Sequence, residues 1–138
     1  MSEVGATFIW PVRVYYEDTD GGGVVYHANY LRFMERARTE WLRSLGFGQN
    51  ELRRGLCVIF VVREVKVKYL RPAVFDDALQ VISHLEEVGR SLLRFRQTIR
   101  RQDEILTEGW VEVVCVDAEK FRPVALPPAI REKMTEFA

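Results

Sequence analysis

The long amphipathic stripe that starts beside Asn29 sets the frame for the whole chain. Tyr30, Met34, Ala37, Trp41 and Leu45 recur at three- and four-residue steps, one face of a helix. Asn29 offers a short polar side chain suited to the N-cap, and Gly46 a C-terminal stop. The other side carries Arg32, Glu35, Arg36, Arg38, Glu40 and Arg43, with Glu35–Arg38, Arg36–Glu40 and Glu40–Arg43 in reach across a turn. Phe33 and Leu42 widen the apolar stripe, so other structure must wrap this helix.

Most of the remaining sequence reads as strand. Ile9 to Glu17 is apolar and aromatic, with Pro11 near its start, and ends in Asp18-Thr19-Asp20 and three glycines. After a short helical piece, Gln49 to Arg54, the apolar run Cys57 to Val62 has the look of a strand buried on both faces. Val65, Val67 and Tyr69 then alternate with Glu64, Lys66 and Lys68 until Arg71-Pro72 breaks the pattern. Leu79 to Val88, Leu92 to Arg101 and Ile105 to Asp117 are three more strands, with separations suited to antiparallel hairpins. Ile130 to Phe137 reads as a last short helix. The order predicts an α+β domain over residues 1–138, one long helix covered by a single five-stranded antiparallel sheet. Such a sheet keeps an edge or a face partly apolar, which homo-oligomerisation would cover.

At 138 residues the chain can bury a real core. Its 20 Lys and Arg balance 20 Asp and Glu. This excludes a nucleic-acid binder driven by bulk charge and leaves little electrostatic resistance to self-association. Cys57 and Cys115 both sit in apolar runs and read as buried, reduced thiols. Met1-Ser2-Glu3-Val4 lacks the basic and apolar pattern of an export signal, and no apolar run approaches the roughly 20 residues of a membrane span. These features predict a cytoplasmic protein without a membrane span.

There is no phosphate-binding G-x-x-x-x-G-K-[ST] and no G-x-S-x-G elbow. With two Cys and two His in all, no four-ligand thiol–imidazole metal set is available, so no metal is expected. A Cys–His pair is disfavoured, because apolar surroundings raise a thiol pKa. The segment left for chemistry is Tyr15-Tyr16-Glu17-Asp18-Thr19-Asp20-Gly21-Gly22-Gly23-Val24-Val25-Tyr26-His27. Glycines let a backbone approach a ligand, and the helix start that follows brings unpaired N–H groups. A carboxylate beside such donors suits acyl transfer, with one group to attack or activate water and others to hold the oxyanion. On these residues alone, an acidic turn capped by its own Asp side chains is the default reading.

Arg13-Val14, Thr19-Asp20 and Gly23-Val24-Val25-Tyr26, with their spacing, resemble the active-site signature of the 4-hydroxybenzoyl-CoA thioesterase family. The run from His27 to Glu40 resembles its YbgC-like branch, as do Phe60-Val61-Val62-Arg63, Tyr69-Leu70-Arg71-Pro72-Ala73, Asp76-Asp77 and Val114-Cys115-Val116-Asp117. The resemblance implies a hotdog fold assembled as dimers or tetramers, and hydrolysis of acyl-CoA without metal or redox cofactor. It assigns Asp20 as the catalytic carboxylate, nucleophile or general base, and leaves Asp18 to cap the loop. It adds His27 as a second catalytic member and makes Gly23, Tyr26, Val61, Arg63 and Arg90 the candidate substrate-binding residues, with Arg71 and Arg94 further candidates for a rim that meets the CoA phosphates. His84 reads as surface. Glu35 is structural here, although another hotdog branch carries its carboxylate on the helix. The competing expectations are a thioesterase for acyl-carrier-protein adducts and a non-catalytic module that binds an acyl thioester or a protein.

Overall fold

The stripe and the strand patterns come together in the computed structural model, which describes residues 7–136. Five strands, β1 (Thr7–Arg13), β2 (Val58–Tyr69), β3 (Ala78–Val88), β4 (Leu92–Arg101) and β5 (Glu104–Asp117), form one sheet in the order β1-β3-β4-β5-β2. All pairings are antiparallel. The long helix α1 (His27–Ser44) lies across one face, and α2 (Pro128–Thr135) follows the sheet. The fold class expected from the sequence is therefore the one observed. Phe137, where the last helix was expected to end, lies outside the described residues.

The stripe packs as its period demands. Tyr30, Phe33, Met34, Ala37 and Trp41 are buried, and they face Leu79, Val81, Phe95, Ile99 and Val111 from the inner face of the sheet. Gly109 sets how closely the helix approaches, since a Cβ there would stand 2.8 Å from Met34 Cε. Under the helix the apolar layer is interrupted by one polar group of buried residues. Arg38 donates to Gln97 Oε1 (2.8 Å), and Gln97 donates to Met34 O and Ser83 Oγ (both 2.9 Å). Arg38 therefore turns inward to an amide rather than pairing with Glu35, and burial pushes its guanidinium down to about 10, against the opposing charge of Glu35.

Four expectations are corrected. The first strand ends at Arg13, because Asp18 draws Tyr16–Asp18 into a 3-10 turn. The helix starts at His27 with Tyr26 at the N-cap, because the Asn29 side chain is spent on Asp18. The run Cys57 to Val62 is not buried on both faces: β2 is the margin of the sheet, and Val61 and Val62 are 38% and 50% exposed. Cys57 is exposed, because it sits at φ 59° in the turn that enters β2, whereas Cys115 is buried and its thiol is pushed up to about 11 by that burial.

The outer face of the sheet is laced by ion pairs. Glu112 accepts from Arg94 and Arg63, and Arg94 also meets Glu87. Hydrogen bonds from Arg94 and then Arg63 hold the Glu112 carboxyl below the usual glutamate range. A depressed folded-state value means that this contribution to stability is present above the unfolded glutamate value of about 4.3 and is lost as pH falls through the lower, folded one. Glu112→Gln should accordingly melt below the wild type at pH 7, with the gap in Tm closing as the pH is taken below about 4. A gap that stays constant in calorimetry from pH 7 to pH 3 would contradict this.

Candidate active site

The Gly-rich segment leaves β1 and is built into a small, heavily bonded loop. Asp76 N–H donates to Val14 O and Val14 N–H to Asp77 O (both 2.9 Å), extending the β1–β3 pairing into the turn before β3. The chain then folds around the Asp18 carboxylate, which is buried. Oδ2 accepts the Tyr15 N–H and Oδ1 accepts the Asn29 side-chain amide, both at 2.8 Å. The Asp18 carbonyl accepts the Tyr26 N–H (2.9 Å). One side chain thus ties the entry of the loop to the first turn of α1.

Beyond Asp18 the chain reverses tightly. Thr19 bridges Val25, and Asp20 N–H donates to Val24 O (3.0 Å). Gly21 and Gly23 lie at φ 91° and 90°, the left-handed region that a side chain resists. The returning limb is backed by the turn before β3, through the Val24–Val74 bridge and a bond from Val25 N–H to Ala73 O (2.9 Å). The Asp20 side chain stands exposed at the tip. Its Oδ1 accepts the Gly22 N–H (2.8 Å), and no described residue bonds Oδ2. The two aspartates therefore differ in kind: both oxygens of Asp18 are taken by structural bonds, and Asp20 keeps one oxygen unbonded among the described residues.

The start of α1 supplies the donors. No side chain caps it, and its first turn holds no acidic residue. Asn29 N–H donates to Tyr26 O (2.8 Å), and the Tyr26 N–H is taken by Asp18. The N–H groups of His27 and Ala28 have no acceptor inside the helix and lie at its positive dipole end. Tyr26 thus presents its ring and not its N–H. That ring lies 4.5 Å from the exposed His27 imidazole, and Tyr69 closes on the imidazole edge-on at 6.2 Å.

The Thr19–Val25 bridge and the Tyr26 N–H to Asp18 O bond thus put Asp20 and Gly23 on a closed loop that leads directly into Tyr26 and His27. The other candidates are elsewhere in the same chain. Tyr69, at the end of β2, reaches His27, so Arg63 lies about 20 Å and Val61 about 26 Å back along the edge strand. Arg90 lies in the turn two residues past the far end of β3, a strand that runs about 33 Å from Ala78 to Val88. Of the candidate phosphate-rim arginines, Arg63 and Arg94 share Glu112, and Arg71 pairs with Glu104; Arg90 pairs with no described carboxylate. Glu35 is not at the loop but lines a cavity of about 220 Å³ between α1 and β2, with Arg38, Leu42, Phe60, Val62 and Phe95 among its walls. Reading the sequence missed Tyr69 as a site residue, because its place in the β2 alternation makes it look like one more core side chain. Its position just before Arg71-Pro72, where the strand must end, was the available signal.

A model of the thioesterase superfamily matches residues 22–108. The chain belongs to this superfamily. Among its relatives, the acyl-CoA thioesterase YbgC of Haemophilus influenzae is 47% identical over 124 residues, covering 90% of this chain and 91% of the relative. The acyl-CoA thioester hydrolase YbgC of Escherichia coli is 49% identical over 124 residues, covering 89% and 92%. Among solved structures, a probable thioesterase from Bartonella henselae superposes with a TM-score of 0.85 at 35% identity, covering 88% of this chain and all of that one. The fold is thus the hotdog fold of this thioesterase superfamily, as the signature around Asp20 implied. No described helix is long and apolar enough to cross a membrane.

Proposed function

We propose that this thioesterase hydrolyses acyl-CoA, with Asp20 as the reacting carboxylate. The observation that carries the reading is the pairing of an exposed carboxylate, held on a bonded glycine loop, with an uncapped helix start. Asp20 either attacks the thioester carbonyl, expelling the thiolate and leaving an acyl anhydride that water then cleaves to the free acid, or takes a proton from the water that attacks directly. The N–H groups of His27 and Ala28 hold the oxyanion that develops. His27 orients the water or the carboxylate, or donates to the thioester. A thiolate leaves without help from a strong acid. Gly23 keeps the loop thin enough for the thioester to approach, and the Tyr26 ring walls the site.

The same proposal includes assembly. β2 leaves an open edge along which Val61, Val62, Val65 and Tyr69 are exposed. Antiparallel pairing of two copies through that edge about a two-fold axis sets the beginning of one β2 against the end of the other. Val61 and the cavity walls at Ile59 to Val62 of one copy then approach Tyr69 and His27 of the second, which brings an acyl pocket to the loop. Arg63 and Arg90 serve the CoA phosphates only in such an assembly. A cytoplasmic location belongs to the same reading, since two unpaired thiols suit a reducing compartment.

The test is release of free CoA thiol from a panel of short, long and aromatic acyl-CoAs, run beside the matching acyl-carrier-protein adducts, with the mass determined by light scattering. Turnover of at least one acyl-CoA by a species of two or more copies is expected. Cleavage of carrier adducts alone, or binding without thiol release, would overturn the proposal.

A further inference from the structure

Tyr69 is bonded to the site in a way its place on an edge strand does not require. Its hydroxyl donates to the His27 carbonyl at 3.0 Å. The residue is well braced: it pairs with Thr107 in β5, and the next two N–H groups, of Leu70 and Arg71, both donate to Leu106 O (2.8 and 3.1 Å). Its ring meets Tyr30 at 5.4 Å, and the Tyr30 hydroxyl is itself fixed by the Ala73 N–H (3.0 Å). The atom it holds is special. The His27 carbonyl and the Ala28 N–H belong to one planar peptide unit, in which the two groups point in opposite directions.

We propose that Tyr69 is a positioning residue for the reaction: by donating to the His27 carbonyl it fixes the His27–Ala28 peptide plane and so aims the Ala28 N–H at the oxyanion. Inside α1 the His27 carbonyl also meets a helical N–H, and the Tyr69 hydroxyl adds a second restraint to a first turn whose own leading N–H groups are unbonded and prone to fray. A hydrogen bond on the carbonyl also polarises the amide, which makes its N–H a better donor. Burial, and then the neighbouring Tyr30, push the Tyr69 hydroxyl above the usual tyrosine range, so it keeps its proton at working pH. The inference rests on the thioesterase reading of the loop.

The test is Tyr69→Phe, which keeps the ring and removes only the hydroxyl. kcat should fall about tenfold with KM within twofold, because a donor is misaimed where charge develops and ground-state binding is untouched. In the free protein the Ala28 amide should shift in ¹H–¹⁵N spectra, while resonances of the β4 and β5 core stay in place. Wild-type kcat, or an equal loss through KM, would overturn the assignment, as would an unmoved Ala28 resonance. Asp20→Asn, assayed in parallel, separates the two ideas. If it turns over as the wild type does, the reading of the loop fails; if it is inactive while Tyr69→Phe is unimpaired, only the role of Tyr69 fails.

Discussion

Asp18→Ala is expected to lower stability by about 2–4 kcal/mol and to abolish most turnover, because both oxygens of Asp18 hold the loop together. Its carboxylate accepts from the Tyr15 N–H and from the Asn29 amide, both at 2.8 Å, in a buried setting. Hydrogen bonds to a charged acceptor are worth roughly 1.5–3 kcal/mol each, and removing the acceptor strands the buried Asn29 amide while the Tyr15 N–H, on an exposed residue, turns to water. For a chain of this size the loss should appear as a fall of about 10 °C in Tm. Asp18→Asn should be milder, since the amide still offers one acceptor oxygen but turns an N–H₂ toward the second donor. The activity should fall with the geometry: the Asp18 backbone holds the Tyr26 N–H, its side chain holds the helix start, and the Asp20 loop hangs between them. Thermal unfolding together with steady-state kinetics of both variants checks this. An Asp18→Ala protein with wild-type Tm and full turnover would show that the anchor is dispensable.

This pair of aspartates shows how far the residues alone can be read. The helical stripe was legible because Tyr30, Phe33, Met34, Ala37 and Trp41 all face one sheet, and a helix period records that directly. The hairpins between β3, β4 and β5 were legible because each turn is marked in the chain. The helix start was misplaced because capping propensity describes what Asn29 does in isolation, and here Asp18 competes for its amide. The exposure of β2 was illegible for a different reason. An apolar run states that a strand will be covered but not by what, and the place of β2 at the sheet margin follows from the order of all five strands. The pairing of Arg63 and Arg94 with one Glu112 likewise depends on the register of three strands. Within the site, the loop and the helix start adjoin in sequence and could be read together. Tyr69 arrives from the end of a distant strand, and no local pattern announces it.

The second large effect concerns Asp20. Asn in its place keeps size and shape, and its amide oxygen can still accept the Gly22 N–H that Oδ1 now accepts. The loop, built by Asp18, Thr19–Val25 and the glycines, does not depend on the Asp20 charge. What Asn lacks is the capacity to attack a thioester or to take a proton from water. A positioned carboxylate contributes on the order of 10²–10⁴ in rate by general-base action alone, so kcat should drop about 10³-fold with KM and Tm little changed. That split is the opposite of the Asp18 result, in which stability and turnover fall together. The measurement that bears most directly on the account is therefore the rate of CoA thiol release by folded Asp20→Asn on the best acyl-CoA of the wild type. A loss of about 10³ in kcat at unchanged Tm is the predicted result, and wild-type turnover by that variant would contradict the assignment of Asp20.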